Sequence, residues 1–146
     1  MKEHDIKETA LLLRNEIAKA QELTSDVDLH TIFMSAETIV SCLSYLISPI
    51  ADMEQKYRQL VAKYMIADDD SAAKAEAKSK ASDEYKEWRK YSALYDLGHE
   101  QIMLLKKFRE DLSKERVRNW WDALPSENKV SKKYQRFKEN YGSSAN

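Results

Sequence analysis

The side chains that could do chemistry in this chain are few and scattered. Three histidines, His4, His30 and His99, are the candidate metal ligands and proton carriers. A helical metal centre needs His-Glu-x-x-His or paired Glu-x-x-His motifs, which set two ligands on one helix face. Neither occurs; the nearest approach is the single pair Asp96 and His99. Asp68, Asp69 and Asp70 form a run of carboxylates, but without the alternating spacing and central glycine of a calcium loop. Their expected role is to cap the next helix and complement the positive end of its dipole. Cys42 is the one cysteine, so it has no partner for an internal disulfide. A nucleophilic thiol needs a nearby base and access to solvent. Cys42 stands instead in the most apolar stretch, where a structural role is expected. Glu37 interrupts the same stretch, either as a buried acid with a raised pKa or as an edge residue reaching a Lys or Arg. No glycine-rich phosphate loop, nucleophile elbow or phosphoryl-transfer motif is present. The expectation is a protein that is not an enzyme and holds no metal and no cofactor.

The C-terminal stretch is the strongest functional feature. Val130, Tyr134, Phe137 and Tyr141 stand at spacings of 4, 3 and 4, one face of a short helix. Lys129, Lys132, Lys133, Arg136 and Lys138 are interleaved with them, and no acid intervenes before Glu139. Cations beside aromatic rings suit single-stranded nucleic acid, where charges neutralise phosphates and rings stack on bases. The same pattern suits an amphipathic helix that docks on the body or on a protein partner, its lysines merely solvated. A helix lying on a membrane surface is the third reading, weakened by a short stripe rich in tyrosine. Lys129, Lys132, Lys133, Tyr134, Arg136, Phe137, Lys138 and Tyr141 are the candidate partner or nucleic-acid residues.

The elements that carry these residues must be long and few. The 146 residues include two glycines and two prolines, with 42% apolar and 34% charged side chains. Sandwiches, barrels and doubly wound α/β folds need many Gly and Pro turns, and these are missing. Charge is uneven: positions 1–70 carry 7 Lys/Arg and 13 Asp/Glu (−6), 71–112 carry 9 and 8 (+1), and 113–146 carry 8 and 4 (+4). An acidic front and a basic tail point to an anionic or acidic partner. The N-terminus does not read as a signal peptide, and the stretch Ile32 to Ile50 holds Glu37, Thr38, four serines and Pro49. It therefore reads as a buried helix and not as a membrane span. The expected location is cytoplasmic.

Three helical segments precede the tail. In the first, Ile6, Ala10, Leu13, Ile17 and Ala20 form one face, which Leu11 and Leu12 widen. Thr24, Ser25 and Asp26 supply the break and a cap. The second, about 27–67, repeats at alternating threes and fours from Leu29 through Ile32, Ala36, Ile39, Leu43, Leu46, Ile50, Met53, Tyr57 and Leu60 to Tyr64. Pro49 lies inside this repeat, and a kink is expected there rather than a turn. The third, about 71–118, shows a stripe of Ala77, Ala81, Tyr85, Trp88, Tyr91, Tyr95, Gly98, Ile102, Leu105, Phe108 and Leu112. As one helix it is roughly 70 Å long at ~1.5 Å per residue.

The fold expected is all-α. The two long segments fold back at Asp68–Asp70 as an elongated antiparallel hairpin, with the N-terminal helix on its open end and a short C-terminal helix. In the simplest register Tyr57 faces Ala81, Leu60 faces Ala77, Met53 faces Tyr85, Ile50 faces Trp88 and Ile39 faces Gly98. At Tyr57–Ala81, Leu60–Ala77 and Ile39–Gly98 large residues then meet small ones, as close packing requires. The body spans 1–124, and 125–146 is the basic aromatic helix with a frayed end. Tyr45, Tyr85, Trp88, Tyr91 and Tyr95 are many aromatics for a two-helix arm, which makes them the candidate surface of a homo-oligomer.

Ala75–Lys90, with Glu100–Lys107, resembles small coiled-coil accessory proteins of bacteriophages, which are often encoded near replication and recombination genes. The resemblance implies an intracellular accessory protein that acts by binding DNA or a DNA-processing protein; it carries over no functional residue. The leading expectation is a non-enzymatic adaptor or inhibitor that binds a protein partner. A single-stranded nucleic-acid-binding accessory using the tail, and a self-assembling structural subunit, are the alternatives.

Overall fold

A computed structural model describes residues 3–125. The chain is all-α: α1 (Glu3–Gln21), α2 (Leu29–Ala67), α3 (Ala72–Ser79) and α4 (Asp83–Ala123). α2 and α4 run antiparallel as the long hairpin, and α1 packs on both of them at the open end. The eight candidate residues from Lys129 to Tyr141 lie outside the described residues.

The helices follow their apolar repeats. α1 buries Ala10, Leu13, Ile17 and Ala20, while Leu11 and Leu12 are exposed and do not widen the stripe. α2 buries Ile32, Ile39, Leu43, Leu46, Met53 and Tyr57 along the expected seam. It stays helical through Pro49, with no break. α4 brings in Tyr91, Leu94, Leu105 and Leu112, and these join the α1 and α2 residues in one core. Asp28 rather than Asp26 caps α2, its carboxylate accepting the His30 amide at 2.9 Å. The Arg116 guanidinium donates to the Val27 carbonyl, which ties the end of α4 to the α1–α2 connection.

The acidic turn is built as a clamp. Asp69 takes the left-handed conformation that reverses the chain, at φ 49°. Asp70 is buried, and its carboxylate receives Lys78 at 2.6 Å and Lys74 at 3.3 Å. Lys78 also reaches Asp68 at 3.3 Å and lies 5.5 Å from the centre of the Tyr64 ring. Ser71 caps α3.

The third segment is not one helix from 71 to 118, which corrects the expected boundaries. It breaks at Lys80–Ser82, and the later part runs on to Ala123, where Leu124 caps it ahead of Pro125. The cause of the break is local. The Ser82 hydroxyl accepts the Tyr85 amide at 3.2 Å, and Asp83 and Glu84 occupy the first turn of α4. A serine followed by two acids is a strong helix start. The buried Ser79 hydroxyl closes α3 by bonding the Ala75 carbonyl at 2.8 Å.

The break moves the register. Ala75 and Ser79 face α2, while Ala77 and Ala81 are exposed. Tyr57 therefore packs between Tyr85 and Trp88, with ring centres 5.1 and 5.3 Å away, and not on Ala81. At Gly98 the close approach occurs as expected, but its partner is Leu43 and not Ile39. A β-carbon there would lie 2.8 Å from Leu43 Cδ2 and 3.3 Å from Leu13 Cδ1. Both corrections amount to about one helical turn. The residues used in the interruption carry α4 that far along α2.

Candidate docking surface on the second helix

α2 carries a second seam beside the one that builds the core. Phe33, Glu37, Val40, Ser44, Ile47 and Ala51 stand at spacings of 4, 3, 4, 3 and 4, and all are exposed. Residues so spaced share one helix face. The large members are Phe33, Val40 and Ile47, at 51%, 46% and 55% exposure. They sit two turns apart, with Glu37 and Ser44 between them and Ala51 one turn beyond Ile47. His30 bounds one end, its ring 6.5 Å from that of Phe33. The Arg58–Glu54 pair, 2.8 Å apart, bounds the other.

The charge pattern of this region is unusual for an outer helix face. No Lys or Arg occurs from Ala20 to Gln55, while Glu22, Asp26, Asp28, Glu37, Asp52 and Glu54 do. The outer face of a solvated helix normally carries both signs. Here it presents three large apolar side chains, serines and one carboxylate. Met34 and Tyr45 are exposed on the adjoining flank. α2 is also long and apolar enough to cross a membrane, by length and composition. Its deepest residues, Ile32, Ile39 and Leu46, are used instead in the core against α1 and α4.

Covering such a seam contributes a modest free energy. Full burial of a Val, Ile or Phe side chain stabilises by about 1.5–3 kcal/mol, so the exposed half is worth about 1 kcal/mol each. Three such residues offset little of the ~4–15 kcal/mol that association costs. Apolar contact alone supports only weak docking, and charged or polar contacts around it must add both affinity and selectivity.

The aromatic candidates divide. Tyr45 is exposed on α2. Tyr85 and Trp88 are half-buried inside the arm, Trp88 stacked on Tyr57 and Tyr85 tilted against it. Tyr95 is half-buried against the core. Tyr91 is 4% exposed and belongs to the core itself, so it offers no surface to a second chain. The arm thus satisfies most of its aromatics internally, because α4 is shifted one turn and brings Tyr85 and Trp88 onto Tyr57.

The other reactive types are placed as follows. Cys42 is 4% exposed, and burial, with the Glu16 carboxylate adding to it, pushes its thiol pKa up. That is the opposite of an activated nucleophile. Glu37 is exposed and is not a buried acid. His30, Asp96 and His99 are exposed. Among the described residues no three His, Cys, Asp or Glu side chains gather where a metal ion could sit. Phe33, Val40 and Ile47 lie outside the core repeat of α2; their signal in the sequence is a second repeat of fours and threes within a stretch free of Lys and Arg. Comparison with known protein families, curated proteins and solved structures finds no match to this chain.

Proposed function

We propose that this chain is a non-enzymatic binding protein, an accessory or adaptor that docks another protein on the outer face of α2. The observation that carries the reading is the exposed apolar seam Phe33–Val40–Ile47 on a stretch of α2 that carries no Lys or Arg before Lys56. A half-exposed residue of this size is ordinary when single. Three in register on one face form an apolar row, and exposed apolar surface gathered on one face marks interaction surfaces. α1 and α4 hold α2 from behind, so the seam is presented without a cost of ordering.

The test is a photo-crosslinking amino acid placed at Val40 and, as a control, at the exposed Gln59. Introduced in the native host, the probe at Val40 gives a discrete adduct with another protein, which Phe33→Glu removes. The probe at Gln59 gives none. Equal crosslinking at both positions, or none at Val40, overturns the reading.

A further inference from the structure

Resting on that reading of the α2 face, we propose that its occupant is a cationic amphipathic helix. The apolar stripe of this helix covers Phe33, Val40 and Ile47, and its Lys or Arg side chains meet Glu37 and the flanking carboxylates. The geometry of the seam sets the first half of this description. Its large residues recur every seven positions over about 21 Å, the length of four helical turns. Ser44 between Val40 and Ile47, and Ala51 beyond Ile47, leave recesses for the side chains of an incoming helix, the arrangement by which facing helices interlock. An extended peptide has no unpaired backbone edge to bind here, since every exposed position belongs to a helix.

Charge sets the second half. Glu37 lies on the seam itself, between Phe33 and Val40, so a covering helix must place something opposite a carboxylate. A buried, unpaired carboxylate is costly, and a Lys or Arg partner removes that cost. A second copy that pairs through its own α2 does not supply one. If two α2 helices pair antiparallel about Val40, Phe33 meets Ile47, but Asp28 meets Asp52, and Glu37 falls opposite Leu43 with no cation to receive it. If they pair in parallel register, Glu37 meets Glu37. No Lys or Arg lies between Ala20 and Gln55 to pair Glu37 in either arrangement. Like charges facing each other across a helix pair set partner choice against self-pairing. A helix with an apolar stripe and a basic polar face meets no such clash.

The probes are two synthetic helical peptides of about 18 residues with the same leucine stripe, one with lysines and one with glutamates on the polar face. Fluorescence anisotropy with the full chain reads their binding. The lysine peptide binds at least tenfold more tightly than the glutamate peptide. Val40→Glu with Ile47→Glu weakens the lysine peptide at least tenfold, although it adds negative charge. Glu37→Lys narrows the difference between the two peptides. Circular dichroism confirms that the variants, all at exposed helix positions, keep their helicity.

Tighter binding of the lysine peptide to Val40→Glu/Ile47→Glu would show attraction to bulk charge without seating and overturn the proposal. Equal binding of the two peptides overturns the cationic occupant and leaves the docking face standing. So does a chain that binds neither peptide but self-associates in light scattering and loses this with Val40→Glu. Failure to bind either peptide, with no adduct from the probe at Val40, overturns the docking face together with its occupant.

Discussion

At Gly98, three helices meet within the radius of one side chain. The contact geometry sets two effects against each other. Alanine in a helix interior is favoured over glycine by ~1 kcal/mol. Its β-carbon would also press on Leu43 and Leu13, which are buried on all sides, and overpacking of this kind costs about 1–3 kcal/mol. Gly98→Ala should therefore stay within about 1 kcal/mol of the parent in denaturant unfolding, whereas Gly98→Val should lose more than ~2 kcal/mol. A Gly98→Val chain as stable as the parent would mean that the three helices do not converge there. Ser35 is the converse case. Its hydroxyl is buried with no hydrogen-bond partner. Removing an unsatisfied polar group and gaining helix propensity act in the same direction, so Ser35→Ala should raise stability by about 1 kcal/mol. A loss of stability would reveal a partner for the hydroxyl.

Among the elements, α3 depends most on charge. It is short, and Lys74 and Lys78 bind it to the carboxylate of Asp70. The Lys78 hydrogen bond, helped by Lys74, holds the Asp70 pKa below the usual carboxylate value, against the effect of burial. A group whose folded pKa is depressed contributes stability above its unfolded pKa and loses it as pH falls through the folded one. The clamp is therefore intact at neutral pH and releases below about pH 4, the ordinary range of aspartate. Hydrogen exchange should show α3 amides opening earlier than the core of α2 and α4 as pH is lowered. Asp70→Asn should speed α3 exchange at neutral pH, and the difference from the parent should vanish in strong acid. If α3 exchange is unchanged by Asp70→Asn, the lysines do not hold the tip.

For the whole molecule, the core residues of α1, α2 and α4 all precede Leu124. A chain ending at Leu124 should still fold cooperatively and keep its helical content. A fall in stability of about 1–3 kcal/mol, the range for one to two apolar side chains, would mean that the removed segment docks on the body, and an unchanged midpoint of thermal melting would mean that it does not. A truncated chain that does not fold would place the C-terminal segment within the structural core.

How far the sequence determined this protein can be followed along α2 and α4. The repeat from Leu29 to Tyr57 named the buried face of α2 correctly, and that from Tyr85 to Leu112 did so for α4, because helix periodicity is local and each helix buries one face. The break at Lys80–Ser82 was also local, in the capping sequence Ser82-Asp83-Glu84, but the alanine stripe through Ala77 and Ala81 masked it. Register could not be read in this way. It depends on how much chain the turn and the break consume, and an error of one turn is invisible to a periodic pattern: a seam with the same spacing fits nearly as well when shifted. The docking face was half legible. The spacing of Phe33, Val40 and Ile47 and the lack of cations lie in the sequence, yet a stripe on an apolar helix reads as core until packing assigns its faces. Only the tertiary structure, by seating α1 and α4 on one side of α2, decided which of its two seams is buried and which is left to solvent.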